Sequence, residues 1–228
     1  MPLAWDFVLL IARIPTVIID VWSDVVCPWC FIGRRRLQKA LQAVAGSERV
    51  VVRHRAFQLQ PDASGVMPTK ELLAKKYNLN PDQVESSQAN VCSIADGEGL
   101  CYDLTNTMSG NTGNAHRLLK WAESVGKEDV LLEAMYSGYF EKSQGVFSDD
   151  ELLAFVAQVG LDLAQAKEVL GSEKYADDVL QDQHLAQQLG ANGVPFFVFD
   201  MKYGISGAQP QDVFNATLEK ALEESATA

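Results

Sequence analysis

The sequence is poor in cysteine and in positive charge. Only four of its 228 residues are cysteine, which is too few for a scaffold held together by disulfides. Nineteen Lys and Arg residues stand against 30 Asp and Glu, so the formal net charge is −11. Most of such a surface repels phosphate groups. Neither a nucleic acid nor a membrane is therefore an expected partner.

The N-terminus lacks the pattern of a membrane span or a secretory signal. Its apolar run from Phe7 to Ala12 is much shorter than the roughly 20 residues needed to cross a bilayer. Asp6 precedes the run, Arg13 ends it, and neither a basic region nor a cleavage site frames it. Residues 1–15 are interpreted as a leader, either a short extra helix or disordered, and we expect a cytoplasmic location.

The remaining composition is that of an ordinary globular chain. Hydrophobic residues make up 47% of the sequence and charged residues 21%, which excludes disordered and collagen-like classes. A length of 228 residues allows one large domain, or a small domain that carries an insertion of comparable size.

The pattern after residue 15 begins with a strand, a helix and a second strand. Residues 16–22, TVIIDVW, form a β-branched run typical of a buried strand, and residues 50–59 alternate apolar and polar side chains. Between them a helix is predicted from apolar residues at helical spacing, namely Ile32, Leu37, Leu41 and Val44. The chain therefore opens with a βαβ unit.

The rest of the sequence divides into a helical middle and a mixed end. Successive helical segments run from about residue 69 to 188, and strand, strand and helix follow Gly193. We predict an α/β core from residues 16–66 and 191–228, split by an inserted helical subdomain at residues 67–190.

The pair Cys27 and Cys30, in the motif CPWC, carries the chemistry of the sequence. Cys27 stands where a strand turns into a helix, so its sulfur is expected near the positive end of the helix dipole, which favours thiolate over thiol. Cys30, one turn further, is expected to be buried and to resolve a mixed disulfide by attacking Cys27. Pro28 suits the first turn of a helix, and Trp29 offers a flat apolar surface to substrate.

Two other interpretations of the motif are weaker. A zinc site would need a second pair of ligands at suitable spacing, but Cys92 and Cys101 are nine positions apart and the histidines are scattered, at His54, His116 and His184. No metal site is expected. An inert structural disulfide would leave the strand-turn-helix setting of the motif unexplained.

Four segments together resemble a known family. In order they are WSDVVCPWCFIGRRRL, NAHRLLKWA, GVPFFVF and YGISGAQP. With these segments the chain resembles the DsbA-like thioredoxin-fold oxidoreductases, most closely the FrnE branch, from about Val17 to Leu222. The resemblance implies an α/β thioredoxin-like fold with a large helical insertion, which agrees with the organisation inferred from the pattern.

The resemblance also implies an activity and a site. It places a cis-proline at Pro195 and exposes the backbone of Val194, so that a bound peptide can pair with it as an added strand. The implied reaction is thiol-disulfide exchange with protein or peptide dithiols, in the oxidase, reductase or isomerase direction. No bound cofactor is expected, glutathione or another thiol reductant is a possible redox partner, and the protein is expected to be a monomer or weak homodimer.

Two alternative functions stay open. Kappa-class glutathione transferases and 2-hydroxychromene-2-carboxylate isomerases share this layout but carry serine where Cys27 stands, and they use it to activate glutathione. A glutathione-dependent isomerase or transferase is therefore the second hypothesis. The third is a binding module that holds a partner in a cleft beside the insertion.

Other residues receive two interpretations each. Asp24 and His116 are candidates for tuning the Cys27 thiolate; more simply, Asp24 caps the turn and His116 is a satisfied histidine at a helix start. The run from Arg34 to Arg36 is expected to be a solvated face. The alternative for this run is a positive field that favours the thiolate and attracts the carboxylates of glutathione.

Cys92 and Cys101 form a possible second redox pair. Gly97 and Gly99 lie between them, so a helix end could turn back and bring the two sulfurs within bridging distance. The simpler interpretation is two separate, partly buried thiols in a reducing cytoplasm.

Overall fold

A computed structural model describes residues 16–227, so the predicted leader at residues 1–15 lies outside the described part. The strands are β1 (Val17–Ser23), β2 (Val50–Ala56), β3 (Met67–Pro68), β4 (Met108–Ser109), β5 (Phe196–Phe199) and β6 (Tyr203–Ser206). The helices are α1 (Pro28–Ala43), α2 (Thr69–Tyr77), α3 (Pro81–Gly97), α4 (Gly113–Ser124), α5 (Glu128–Lys142), α6 (Asp149–Gln158), α7 (Leu163–Leu170), α8 (Ala176–Gln188) and α9 (Gln211–Thr227). No helix of this part is long and apolar enough to cross a membrane.

The main sheet has four strands in the order β2-β1-β5-β6. β1 pairs in parallel with β2, with Val17 opposite Val50, and antiparallel with β5, which pairs antiparallel with β6. β1 is central and almost wholly buried, which explains its continuous β-branched run. The strands predicted at the two ends of the sequence therefore meet in one sheet, and the thioredoxin-like fold is confirmed.

Alternating side chains of β1 enter different cores. Val17, Ile19 and Val21 pack on one face of the sheet against α1 and α9. Trp22 points to the other face and packs with residues of α8, and its Nε1 donates to the main-chain oxygen of Asp182 at 2.7 Å. The last helix of the predicted insertion thus covers one face of the sheet.

A third core fills the inserted helices and reaches into the start of α1. Phe31 is fully buried there and stacks on Tyr136 of α5, with ring centroids 4.9 Å apart. Cys27 and Cys30 belong to the same cluster. The active-site end of α1 is therefore packed against the insertion, while the rest of the helix packs on the sheet.

The run Arg34–Arg36 is not the solvated face that the sequence predicts. Arg34 is buried and contacts Asp129 and Glu133 of α5 at 2.8 and 2.9 Å, and Arg35 also pairs with Glu133. Arg36 donates to Glu98 at 2.6 Å, at the end of α3. Carboxylates distant in sequence pair with all three guanidinium groups, so the run connects α1 to the insertion, and each of the three arginines is already engaged in an ion pair.

Candidate active site

The CPWC motif starts α1 as the sequence predicts. Cys27 is the N-cap residue and Pro28 occupies the first helical position, where a missing N–H costs nothing. The amide of Cys27 donates to the carbonyl of Asp24 at 3.1 Å, which closes the turn after β1. Cys27 therefore sits at the end of α1 where unpaired N–H groups and the helix dipole favour negative charge.

The structure brings Cys27 next to Val194, as the resemblance implies. Cys27 is 4% exposed, and its Sγ lies 3.5 Å from the carbonyl oxygen of Val194. The peptide bond between Val194 and Pro195 is cis. Two segments separated by 167 positions thus form one site.

Cys30 is buried, and its thiol is held in the protonated form. It is 2% exposed, and burial, together with its hydrogen bond and charge interaction with Cys27, raises the pKa of its thiol well above the ordinary value. All four cysteines lie in the described part of the chain and carry free thiols. At neutral pH Cys30 is accordingly a protonated thiol that must lose a proton before it can attack.

Asp24 and His116 lie together in the interior beneath the motif. The Oδ1 atom of Asp24 is 3.4 Å from Nε2 of His116, and its Oδ2 accepts from the amide of Leu59 at 2.7 Å. Both side chains are buried. The side chain of Asp24 therefore does not cap the turn as the sequence predicts, and Cys27 is the N-cap residue of α1. The carboxylate of Asp24 instead accepts from the segment after β2 and lies beside His116 of α4 without a hydrogen bond to it.

A cleft of about 480 Å³ opens beside Cys27, between the core and the helices α2 and α3. Trp29 lies in its wall, as the sequence predicts, and Val194 and Cys27 also line it. Most of the other walls are apolar and come from the insertion, with Leu72, Leu73, Val91, Leu104, Tyr139 and Phe140. Among the described residues that line the cleft, Lys76 is the only lysine, arginine, aspartate or glutamate.

One contact to the motif has no signal in the local sequence. The hydroxyl of Tyr102, in the loop after α3, donates to the carbonyl oxygen of Pro28 at 2.8 Å. Burial raises the pKa of Tyr102 far above the ordinary value, so the hydroxyl remains a donor at physiological pH. Only the folded insertion places this side chain against the first turn of α1.

The second cysteine pair stays a prediction. Cys92 is half-buried on α3, and partial burial raises the pKa of its thiol. Cys101 is exposed just beyond the helix, where its amide donates to Glu141 at 3.1 Å. Within residues 16–227 no cluster of three or more His, Cys, Asp or Glu side chains is arranged to hold a metal ion.

Comparison with solved structures places this geometry among known relatives. A probable DsbA oxidoreductase from Streptomyces coelicolor is 40% identical, with a TM-score of 0.88 over 91% of each chain. The cytosolic disulfide reductase DsbM from Pseudomonas aeruginosa is 20% identical, with a TM-score of 0.61 over 90% of this chain and 99% of its own. A 2-hydroxychromene-2-carboxylate isomerase is 14% identical, with a TM-score of 0.64 over 92% and 98%. The last two likenesses concern the fold alone.

A family model gives the assignment that the fold and the paired cysteines suggest. The model of the DSBA-like thioredoxin domain matches residues 18–219, which include the active-site helix, the whole insertion and the cis-proline segment. The chain belongs to the DSBA-like thioredoxin domain family, whose members are thiol-disulfide oxidoreductases.

Proposed function

We propose that this protein exchanges disulfides with protein or peptide thiols through Cys27 and Cys30. The observation that carries the proposal is the position of Cys27, at the N-terminus of α1, beside Val194 and in the wall of an apolar cleft. A protonated Cys30 stands one turn behind it. A nucleophile that faces a substrate cleft and a buried resolving thiol are the two parts that exchange requires.

The reaction has two steps in the reductive direction. The Cys27 thiolate attacks one sulfur of the substrate disulfide, an S–S bond forms between enzyme and substrate, and the other substrate sulfur leaves as thiolate. Cys30 then loses its proton and attacks Sγ of Cys27, which releases the second substrate thiolate and leaves a Cys27–Cys30 disulfide. The oxidase direction is the reverse of these steps.

The walls of the cleft favour a peptide over glutathione as the main substrate. Glutathione carries two carboxylates, whereas Lys76 is the only lysine or arginine among the described lining residues. The three arginines of α1 are engaged by Glu133, Asp129 and Glu98. Apolar side chains near a substrate cysteine would be buried in this cleft, and each Å² of apolar surface buried would stabilise the complex by about 25 cal/mol. Glutathione or another thiol reductant is proposed as the partner that regenerates the enzyme.

The direction of exchange depends on the reduction potential of the pair. A difference of about 30 mV is worth about 1.4 kcal/mol, enough to change which side of the exchange is favoured. Isomerase activity, a cytoplasmic location, the FrnE branch and a monomeric or weakly dimeric state stay predictions.

Redox titration tests the proposal. The purified protein is equilibrated in glutathione buffers of stepped ratio, its thiols are trapped by alkylation, and the modified cysteines are identified by mass spectrometry. We expect one reversible two-electron couple at Cys27 and Cys30, and accumulation of a mixed disulfide with a peptide substrate in Cys30→Ser. Cys27→Ser should form no mixed disulfide through the motif.

Two outcomes would contradict the proposal. Absence of a reversible couple at Cys27 and Cys30 would remove the redox function. Turnover of an aromatic glutathione acceptor that persists in Cys27→Ser would support the glutathione-dependent isomerase instead. A couple that includes Cys92 and Cys101 would establish the second redox pair.

A further inference from the structure

A small cavity lies against the buried resolving cysteine. Its volume is about 80 Å³, and it shares no lining residue with the substrate cleft. Cys30, Ser23, Arg34, His54 and Tyr136 are among the residues that line it. A water molecule needs roughly 10–15 Å³ of such space and two to four polar partners, so the cavity has room for several.

Two buried polar atoms around this cavity have no hydrogen-bond partner among the described residues. They are Nδ1 of His54 and the hydroxyl of Tyr136; Ser23 lies close enough to influence the pKa of Tyr136, but no hydrogen bond of ordinary length joins the two side chains. A buried polar group left unpaired costs about 1–3 kcal/mol. Both side chains line the cavity, so water inside it would satisfy them and would lie beside the Cys30 thiol.

The other nitrogen of His54 faces both a donor and an acceptor. Its Nε2 lies 3.2 Å from Nη1 of Arg34 and 3.5 Å from Oδ1 of Asp129. Either neutral tautomer therefore has a partner at Nε2: the bare nitrogen accepts from Arg34, and the protonated nitrogen donates to Asp129. Nδ1 is correspondingly free to act as donor or acceptor toward the cavity, which is what a proton relay requires.

His54 is also neutral at pH 7 and contacts a solvent-exposed side chain, as a proton relay requires. Burial, with the nearby charges of Arg34 and Lys120, lowers the pKa of His54, so the ring is neutral at pH 7. The side chain of Asp129, which also lines the cavity, is 72% exposed and connects Nε2 of the ring to solvent.

We propose that water in this cavity and the ring of His54 carry the proton of Cys30 to and from solvent. This inference rests on the proposed function. When Cys30 attacks Sγ of Cys27 in the mixed disulfide, its S–H proton passes to the cavity water and then to Nδ1, while Nε2 releases its proton toward Asp129 and bulk water. The substrate leaves as thiolate, and the reverse transfer protonates Cys30 when its disulfide opens.

Charged and titratable groups surround both ends of this path. His54 is faced by Arg34 from α1, Lys120 from α4 and Asp129 from α5. Cys30 is faced by Cys27, by Asp24 in the turn before α1, and by Tyr136 from α5.

His54→Gln tests the relay, because glutamine keeps a polar side chain but cannot pass a proton between two ring nitrogens. The full-length reduced protein is mixed with a peptide disulfide, quenched with acid and alkylated, and the lifetime of the Cys27 mixed disulfide is followed from pH 6 to 10. We expect formation of the mixed disulfide at the wild-type rate, and resolution at least about 10-fold slower near pH 7. The defect should shrink as pH rises, since hydroxide then removes the proton directly.

Two further variants make the result decisive. His184→Gln changes an exposed histidine of α8 and should leave both steps at the wild-type rate. Tyr136→Phe removes the other unpaired hydroxyl and should slow resolution in the same direction by a smaller factor, even if His54→Gln does not fold. Resolution with the wild-type pH profile in the folded variants would overturn the relay. Failure of wild type to form a mixed disulfide would instead overturn the proposed function.

Discussion

At the scale of single residues, the two motif cysteines differ through their surroundings. Cys27 lies at the helix N-terminus beside the cleft, whereas Cys30 is surrounded by buried side chains that raise the pKa of its thiol. The two cysteines are three positions apart in the sequence. Cys27 is placed to react with substrate, whereas Cys30 stays protonated until Cys27 has formed a mixed disulfide. The spacing of the motif supplies both roles because one helical turn leads from the wall of the cleft deeper into the core.

The raised pKa of Cys30 predicts a loss of stability at alkaline pH in the reduced protein. Below the ordinary thiol pKa of 9.0 both folded and unfolded states are protonated, so this group adds no pH dependence. Above it the unfolded state releases the proton while the folded state keeps it, and the free energy of unfolding falls by up to about 1.4 kcal/mol per pH unit. Urea unfolding of reduced wild type and Cys30→Ala, from pH 7 to 10.5, measures this.

Comparison of the two proteins isolates the effect of this one thiol. Tyr139, whose pKa is also raised but through groups other than Cys30, is present in both proteins and cancels in the difference. We expect the difference in stability between wild type and Cys30→Ala to be constant up to about pH 8.5 and to fall beyond it. A difference that stays constant to pH 10.5 would contradict the buried, protonated Cys30.

At the scale of helices and strands, α1 holds the site because it is packed into two cores. Its N-terminal residues lie in the core of the insertion, and its later residues, such as Leu37 and Ala40, lie against the sheet. Ion pairs from Arg34 and Arg35 to Glu133 connect α1 to α5. Any shift of α5 would therefore be transmitted to the active-site helix.

Close packing of α5 on α6 predicts that Gly138→Ala is destabilising. Alanine is normally the better helix former by about 1 kcal/mol, but a Cβ at Gly138 would overlap the ring of Phe155 and the side chain of Gln144. Phe155 is buried in a packed core, so displacing its ring would disturb neighbouring side chains. We expect a loss of about 2 kcal/mol in the free energy of unfolding, measured by urea denaturation.

The last residue of α3 provides a matched control for this substitution. A Cβ added at Gly97 would meet no atom within 4 Å, so Gly97→Ala should be neutral or slightly stabilising. Equal effects of the two substitutions would show that helix propensity, and not the contact with Phe155, decides the outcome.

At the scale of the whole molecule, sheet and insertion share buried polar contacts. Asp182 of α8 accepts from the amide of Ala56 at 2.9 Å and from Arg55 at 3.2 Å, and it pairs with Lys120 at 2.7 Å. One buried carboxylate thus joins β2, α4 and α8. The two parts are consequently expected to unfold in one cooperative transition.

Asp182→Ala should therefore destabilise the entire protein. Removing this carboxylate leaves Lys120 buried without its closest counter-ion, and such losses cost about 3–5 kcal/mol. Thermal and urea unfolding, followed by circular dichroism and by tryptophan fluorescence, should show one transition at lower denaturant. Asp178→Ala, an exposed position on the same helix, should shift it by less than about 0.5 kcal/mol. A loss detected by only one probe would contradict the cooperative unit.

The pattern of the sequence predicted most helices and both ends of the main sheet. Ser148 and Glu151 form a capping box at the start of α6, and Pro81 lies in the first turn of α3. Such helix starts are readable from local sequence because capping depends on neighbours only three residues apart. The two-residue strands β3 and β4 were not predicted, since so short a ladder has no periodicity to detect.

Local sequence by itself determined the reactive motif, its strand-to-helix setting and the order of helices and strands, because these depend on residues within one or two turns of each other. Only the tertiary structure decided which distant groups surround them. It placed Val194 against Cys27, engaged the arginines of α1 with carboxylates of other helices, and put His54 and Tyr136 around a cavity beside Cys30. Burial and charge depend on contacts across more than a hundred residues, and no local pattern encodes them.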